Sequence, residues 1–194
     1  MPLFLDRHGW LAPAPAPGIS LMRSPNCDAR PAGEQVSLLV VHNISLPPGQ
    51  FGGPEVAGLF LNTLDYRSHP WLERLRGLRV SAHFFIRRDG RIVQFVSTDR
   101  RAWHAGVSRF GGRERCNDFS IGIELEGTDT LPYTGEQYAS LRRLTHTLRA
   151  RYPLVAAQGH EHIAPGRKTD PGPAFDWTRF GRDSGFARRH LPPA

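Results

Sequence analysis

The sequence predicts a single α/β domain in which a mixed β-sheet is flanked by α-helices. Three observations carry that reading. An apolar run over residues 36–44 has the composition of a buried strand, Asp89-Gly90 separates two further β-like runs, and Thr134 opens an amphipathic helix. Strands interspersed with helices, with one hairpin among them, give a mixed sheet covered by helices. At 194 residues the chain can bury one substantial core, and nothing in it resembles a second one or an internal repeat. The expected organisation is a Pro/Ala-rich segment over 1–35 that drapes over the domain, the domain itself over 36–182, and a tail over 183–194.

Taken in order, residues 36–44 read as a central strand ending near His42. Turn-forming Pro47, Pro48, Gly49, Gly52 and Gly53 follow; Pro54 then suits a first helical position, with Val56, Leu59, Phe60 and Leu64 at helical spacing. Residues 82–88 and 91–96 flank Asp89-Gly90, a pair that accepts positive φ at both turn positions and so predicts a hairpin. Over 119–126, Ile121 and Ile123 alternate with Ser120, Gly122 and Glu124, as in an interior strand. Thr134 with Gln137 forms a capping-box pattern, and Tyr138, Leu141, Leu144 and Leu148 line one face of the helix that follows. A last short strand over 154–157 leads into a Gly159-His160 loop.

Composition narrows the function. With 20 Gly and 17 Pro the chain is rich in connecting segments, where sites are commonly built. The net charge of +7 is spread over scattered pairs such as Arg87-Arg88, Arg100-Arg101 and Arg142-Arg143, with no basic tail and no interleaved aromatics, which argues against nucleic acid. Cys27 and Cys116 alone make neither a disulfide framework nor a zinc knuckle. The short apolar run at the N-terminus is broken by Asp6 and Arg7, and no window approaches the ~18 apolar residues of a membrane span. A cytoplasmic, monomeric protein without a membrane or nucleic-acid partner is expected.

The chemistry concentrates in the Gly/Pro-rich stretch 159–173, where His160, Lys168 and Asp170 fall close together. A catalytic zinc takes imidazole or carboxylate donors from three protein ligands and keeps one position open. His160 and Asp170 supply two such donors, and His42, at the end of a buried strand, is the best third; His162 is a weaker alternative. Amide hydrolysis further needs a proton acceptor for water and a cation to share the developing oxyanion. Glu124 fits the first role and Lys168 the second. The bland readings are a hydrogen-bonded core His42, a solvent-facing Glu124 and a surface Lys168–Asp170 ion pair worth roughly 0–1 kcal/mol. His83 and His104 read either as substrate contacts or as buried polar residues.

The stretches 38–49 (LLVVHNISLPPG), 79–83 (RVSAH), 100–106 (RRAWHAG), 113–129 (RERCNDFSIGIELEGTD) and 163–173 (IAPGRKTDPGP) closely resemble the zinc-dependent N-acetylmuramoyl-L-alanine amidases, specifically the AmpD type. They cover most of residues 36–180. The resemblance implies an amidase or peptidoglycan-recognition-like fold, one Zn²⁺ on His42, His160 and Asp170, Glu124 as proton acceptor and Lys168 as transition-state stabiliser. It implies also that Arg79 and Arg115 meet substrate carboxylates, and that Asn43, Trp103 and His104 lie near the sugar or stem peptide. Related phage and animal amidases commonly have Cys as third ligand, whereas Asp170 points to the bacterial recycling branch. The implied reaction is cleavage between the lactyl group of 1,6-anhydro-N-acetylmuramic acid and L-Ala in cytoplasmic cell-wall recycling, with an effect on β-lactamase induction. Two alternatives stand beside it, a catalytically inactive muropeptide-binding module and a periplasmic cell-wall remodelling amidase.

Overall fold

The computed structural model describes residues 3–12 and 17–193. Its main sheet has six strands, β1 (Ile19–Leu21), β2 (Leu38–Ile44), β3 (Phe84–Ile86), β4 (Ile92–Gln94), β5 (Ser120–Glu126) and β6 (Ala156–Gly159). The helices are α1 (Glu55–Leu61), α2 (Gly135–Arg151), the single turn α3 (His160–Ile163) and α4 (Trp177–Ser184). Across the sheet the order is β6-β2-β5-β3-β4-β1; β6, β2, β5 and β3 run parallel, and β4 is antiparallel to β3. Parallel strands buried on both faces explain the near-continuous apolar run of β2. Ligands of such sheets collect outside the carboxyl ends of the strands, and four carboxyl ends here open on one side.

The period of two in β5 sorts its side chains. Ile121, Ile123 and Leu125 face a core shared with α2 and α4, while Ser120, Gly122 and Glu124 face the other side. The α2 side is closed by Tyr138, Leu141, Leu144 and Leu148, all buried as the helical spacing predicts; truncating one such leucine to Ala costs about 2–5 kcal/mol. The capping box forms in full, with Gln137 N donating to Thr134 Oγ1 and Thr134 N donating to Gln137 Oε1, each at 3.1 Å. Gln137 does more than cap: its buried Nε2 donates to Glu126 O at 2.9 Å and Ile86 O at 3.3 Å, which ties the start of α2 to the ends of β5 and β3.

Several expectations are corrected. Pro54 is the residue before α1 rather than its first position, and Asn62, in the left-handed region at φ 61°, ends the helix before the buried Leu64. The hairpin forms, but Asp89 has no positive φ; only Gly90 does, at 80°, and Gly90 N donates to Arg87 O. That is a three-residue loop with glycine in the left-handed position, not a two-residue turn. The segment after β6 is not a loop, because His160 opens the helical turn α3.

The ends of the chain are more than covering. β1 pairs with β4 as a sheet edge, and Leu11 and Ile19 belong to the α2-side core, so residues within 1–35 build the domain as well as packing on it. Phe186 and Leu191 from the expected tail are buried in the same core. Residues 13–16 of the Pro/Ala stretch lie outside the described residues. Among the described residues, no helix is long and apolar enough to cross a membrane.

Candidate active site

Three of the carboxyl ends deliver the site. His42 lies near the end of β2, and Glu124 is its register partner on β5, so both point to the same face. His160 follows directly on β6, and Asp170 is brought back against α3 by a hydrogen bond from Glu161 N to Asp170 O at 2.8 Å. The donors converge: His42 Nδ1 is 3.0 Å from His160 Nδ1, and each of these atoms is 3.1 Å from Asp170 Oδ2. His42, His160 and Asp170 form the one group of this kind among the described residues. Tetrahedral bonds of about 2.0–2.1 Å would set donors about 3.3 Å apart, close to the observed spacing. The residues therefore fit a small divalent metal such as zinc.

Protonation suits the same role. Burial, reinforced by His160, lowers His42 to about 4, so its imidazole is neutral at physiological pH and can ligate. Burial would raise Asp170, but hydrogen bonds with His160 and His42 outweigh it and hold the carboxyl well below the usual range. Glu124 goes the other way: burial, then the charge of Asp170, raises it well above an ordinary carboxyl in the metal-free site. Its Oε2 is buried without a hydrogen-bond partner, and its Oε1 is 4.0 Å from His42 Nδ1. A partnerless buried carboxylate oxygen is costly unless a ligand completes it. It does not face solvent.

Both histidines are held from behind. His160 Nε2 is 3.1 Å from Ala105 O, and His42 Nε2 is 2.9 Å from His104 Nδ1. Asn117 Oδ1 accepts from the amides of both His104 and Ala105, and Arg167 Nη2 donates to Ala105 O. Asn43, next to His42, uses its amide nitrogen on Asp129 Oδ1 at 2.8 Å and Pro171 O at 3.2 Å, which clamps the segment carrying Asp170. Tyr133 Oη donates to the same Pro171 carbonyl at 2.8 Å.

Asn43, His104, Glu124, His160, Lys168 and Asp170 line one cleft of about 600 Å³, with His42 buried behind it and an apolar wall that includes Phe60, Trp71 and Val80. The exposed Lys168 lines the cleft and forms no ion pair with Asp170, which pairs with His42 and His160. Arg79, Trp103 and Arg115 do not line this cleft. Arg79 is exposed and donates to Asn62 Oδ1, Trp103 is half-buried, and Arg115 pairs with Asp118 while lining a neighbouring cleft with Val107 and Arg167. His162 is turned away: its Nδ1 accepts from Gly159 N and its ring packs on Trp177. His83 is a satisfied core histidine, accepting from Gly122 N and hydrogen-bonded to Arg100 O.

The profile of the N-acetylmuramoyl-L-alanine amidases matches residues 32–173, a span that holds all five residues of the constellation. The chain belongs to this family. The amidase is 62% identical, over 91% of its own length and 92% of the relative's, to the 1,6-anhydro-N-acetylmuramyl-L-alanine amidase AmpD of Salmonella typhimurium. A crystal structure of an AmpD derivative superposes with a TM-score of 0.88 at 58% identity, covering 93% of this chain and 98% of the other. More distantly, at 27% identity and a TM-score of 0.58, the amidase resembles Escherichia coli AmiD solved with the substrate anhydro-N-acetylmuramic acid-L-Ala-D-gamma-Glu-L-Lys, covering 92% of this chain and 65% of AmiD. The amidase is thus a hydrolase with the mixed-sheet fold that its sequence predicts.

Sequence reasoning missed the support beneath the candidate metal ligands. Ser120, Asn117 and Arg167 reach His104 or its neighbour Ala105, and Arg30, half-buried and lowered to about 10 chiefly by desolvation, donates to the carbonyls of Asn117, Asp118 and Ser120. One signal was present. Gly122 is a lone glycine inside a strand, which marks a close approach; a Cβ there would lie 2.5 Å from His104 Cγ.

Proposed function

We propose that this amidase hydrolyses the amide between the lactyl group of 1,6-anhydro-N-acetylmuramic acid and L-Ala in small soluble muropeptides, using one Zn²⁺, in cytoplasmic recycling of the cell wall. The observation that carries the reading is the convergence of His42 Nδ1, His160 Nδ1 and Asp170 Oδ2 at a cleft that Glu124, with its partnerless Oε2, also lines, in a chain 62% identical to an AmpD amidase.

Zinc in such a site supplies Lewis acidity, which acidifies water and polarises a carbonyl. The protein's own groups then divide the work. Glu124 Oε2 accepts the proton that water loses as its oxygen attacks the lactyl carbonyl carbon. The Lys168 ammonium donates to the carbonyl oxygen as charge develops there. When the C–N bond breaks, Glu124 returns the proton to the departing L-Ala nitrogen, and the second water proton passes from the new lactyl carboxyl to the amine, which leaves a lactyl carboxylate and an L-Ala ammonium. The apolar wall with Phe60 and Trp71 takes the sugar side, and Arg79 and Arg115, which lie outside the cleft lining, reach stem-peptide carboxylates only where the peptide extends beyond the cleft.

Incubation with anhydro-muramyl tripeptide and, separately, with intact sacculi, followed by mass spectrometry, tests the proposal. Rapid release of the peptide from the soluble substrate and slow release from sacculi is expected. Equal rates on both would favour a periplasmic remodelling role, and no cleavage of either would leave a muropeptide-binding module.

A further inference from the structure

We propose that His104 is a positioning residue for the metal site, one that holds His42 in the tautomer whose Nδ1 is free to ligate. The inference rests on the zinc reading above and concerns what stands behind His42 rather than what meets the substrate.

The geometry is a short chain of side chains. His42 Nε2 lies 2.9 Å from His104 Nδ1, and His104 Nε2 lies 3.2 Å from Ser120 Oγ. Both ring nitrogens of His104 are engaged, and the residue is only 8% exposed. Chemistry sets the direction once His42 ligates. A metal on Nδ1 takes that lone pair, so the proton of the neutral ring sits on Nε2 and needs an acceptor. His104 accepts it only through an unprotonated Nδ1, which puts the proton of His104 on Nε2 and makes Ser120 Oγ its acceptor.

The two metal histidines are thereby served differently. His160 Nε2 faces the Ala105 carbonyl, which is an acceptor whatever the sequence. His42 depends on the next side chain along, an imidazole that accepts from it in only one of its two neutral tautomers. The surrounding residues build this arrangement: Gly122 leaves the space that the His104 ring fills, Asn117 Oδ1 holds the amides of His104 and Ala105, and Ser120 and Gly122 sit on the same face of β5 as Glu124. One segment, His104-Ala105, therefore orients both imidazoles. Partners of this kind typically alter metal affinity by about 10–100-fold when removed.

Two measurements test the proposal. In the zinc-loaded wild-type protein, imidazole ¹⁵N NMR should find the proton of His42 on Nε2, and His104 with a bare Nδ1 and a protonated Nε2. A His104 protonated on Nδ1 would overturn the proposal without any variant having to fold. Zinc competition against a chromophoric chelator should then give His104→Leu an affinity about 10–100-fold weaker than wild type, with far-UV circular dichroism unchanged. His104→Asn, whose Oδ1 can stand in for Nδ1 as acceptor, should fall much closer to wild type. A folded His104→Leu with wild-type affinity, or an Asn variant as weak as Leu, would refute the positioning role. If instead the wild type itself fails to bind zinc, it is the zinc reading that fails.

Discussion

His42 and Glu124 are register partners on adjacent parallel strands, and their Nδ1 and Oε1 atoms stand 4.0 Å apart. The proposed ligand and the proposed proton acceptor are therefore fixed to each other by the sheet's own hydrogen bonds, on rigid elements rather than on loops.

Glu124→Gln should separate the two roles. The amide keeps the volume and loses the ability to take a proton, so zinc content should stay at one per chain while kcat falls by about 10²–10⁴. Elemental analysis alongside steady-state kinetics checks this. Near-normal turnover would remove Glu124 from the chemistry.

Lys168→Ala should also keep its metal. Its ammonium forms no ion pair with Asp170, so no ligand depends on it; losing one donor to a developing oxyanion typically costs about 10²–10³ in kcat with little change in KM. A variant depleted of zinc with a lowered Tm would instead assign Lys168 a structural role.

Removal of the metal should abolish hydrolysis, and Zn²⁺ should restore it. His42→Ala, His160→Ala and Asp170→Ala should each lower zinc occupancy, because the three donors lie mutually within 3.1 Å and each would supply one of three protein ligands. Full activity after exhaustive chelation would contradict the site.

The metal-free protein should lose stability on acidification. His42, lowered to about 4 by burial and His160, and His83, lowered to about 3 by burial and Arg30, stay neutral in the fold, whereas both take protons near 6.5 when unfolded. The unfolded chain thus binds more protons across that window, and stability falls from about pH 6.5 toward 4, each histidine contributing up to about 1.4 kcal/mol per pH unit. Glu124, raised by burial and Asp170, opposes this, since the folded protein keeps a proton that the unfolded chain releases above about pH 4.5. Melting from pH 7.5 to 4.5 should show Tm falling below 6.5, and more steeply in Glu124→Gln. A flat wild-type profile would contradict two neutral buried histidines.

What was legible in the sequence follows a physical divide. The period of two in β5, the capping box of α2 and the apolar run of β2 are local signals, and each survives in the structure. The convergence of His42, His160 and Asp170 was legible because strand ends and a Gly/Pro-rich segment restrict where those side chains can go. Ile19, Phe186 and Leu191 were not, because isolated apolar residues among prolines, glycines and arginines carry no period. His104 was ambiguous for a different reason: its partners His42 and Ser120 are 62 and 16 positions away, and only the tertiary fold shows which of its atoms are already used.

His42 and His160 are separated by 118 positions, yet their Nδ1 atoms meet within 3.0 Å. An unfolded chain does not hold that pair together, so a divalent ion captured by the cluster binds the native state more tightly and shifts the folding equilibrium by mass action, by up to about 2.7 kcal/mol when the free ion stands at a hundred times its dissociation constant. The melting temperature of this protein is then not a constant of the sequence but a gauge of the free metal around it.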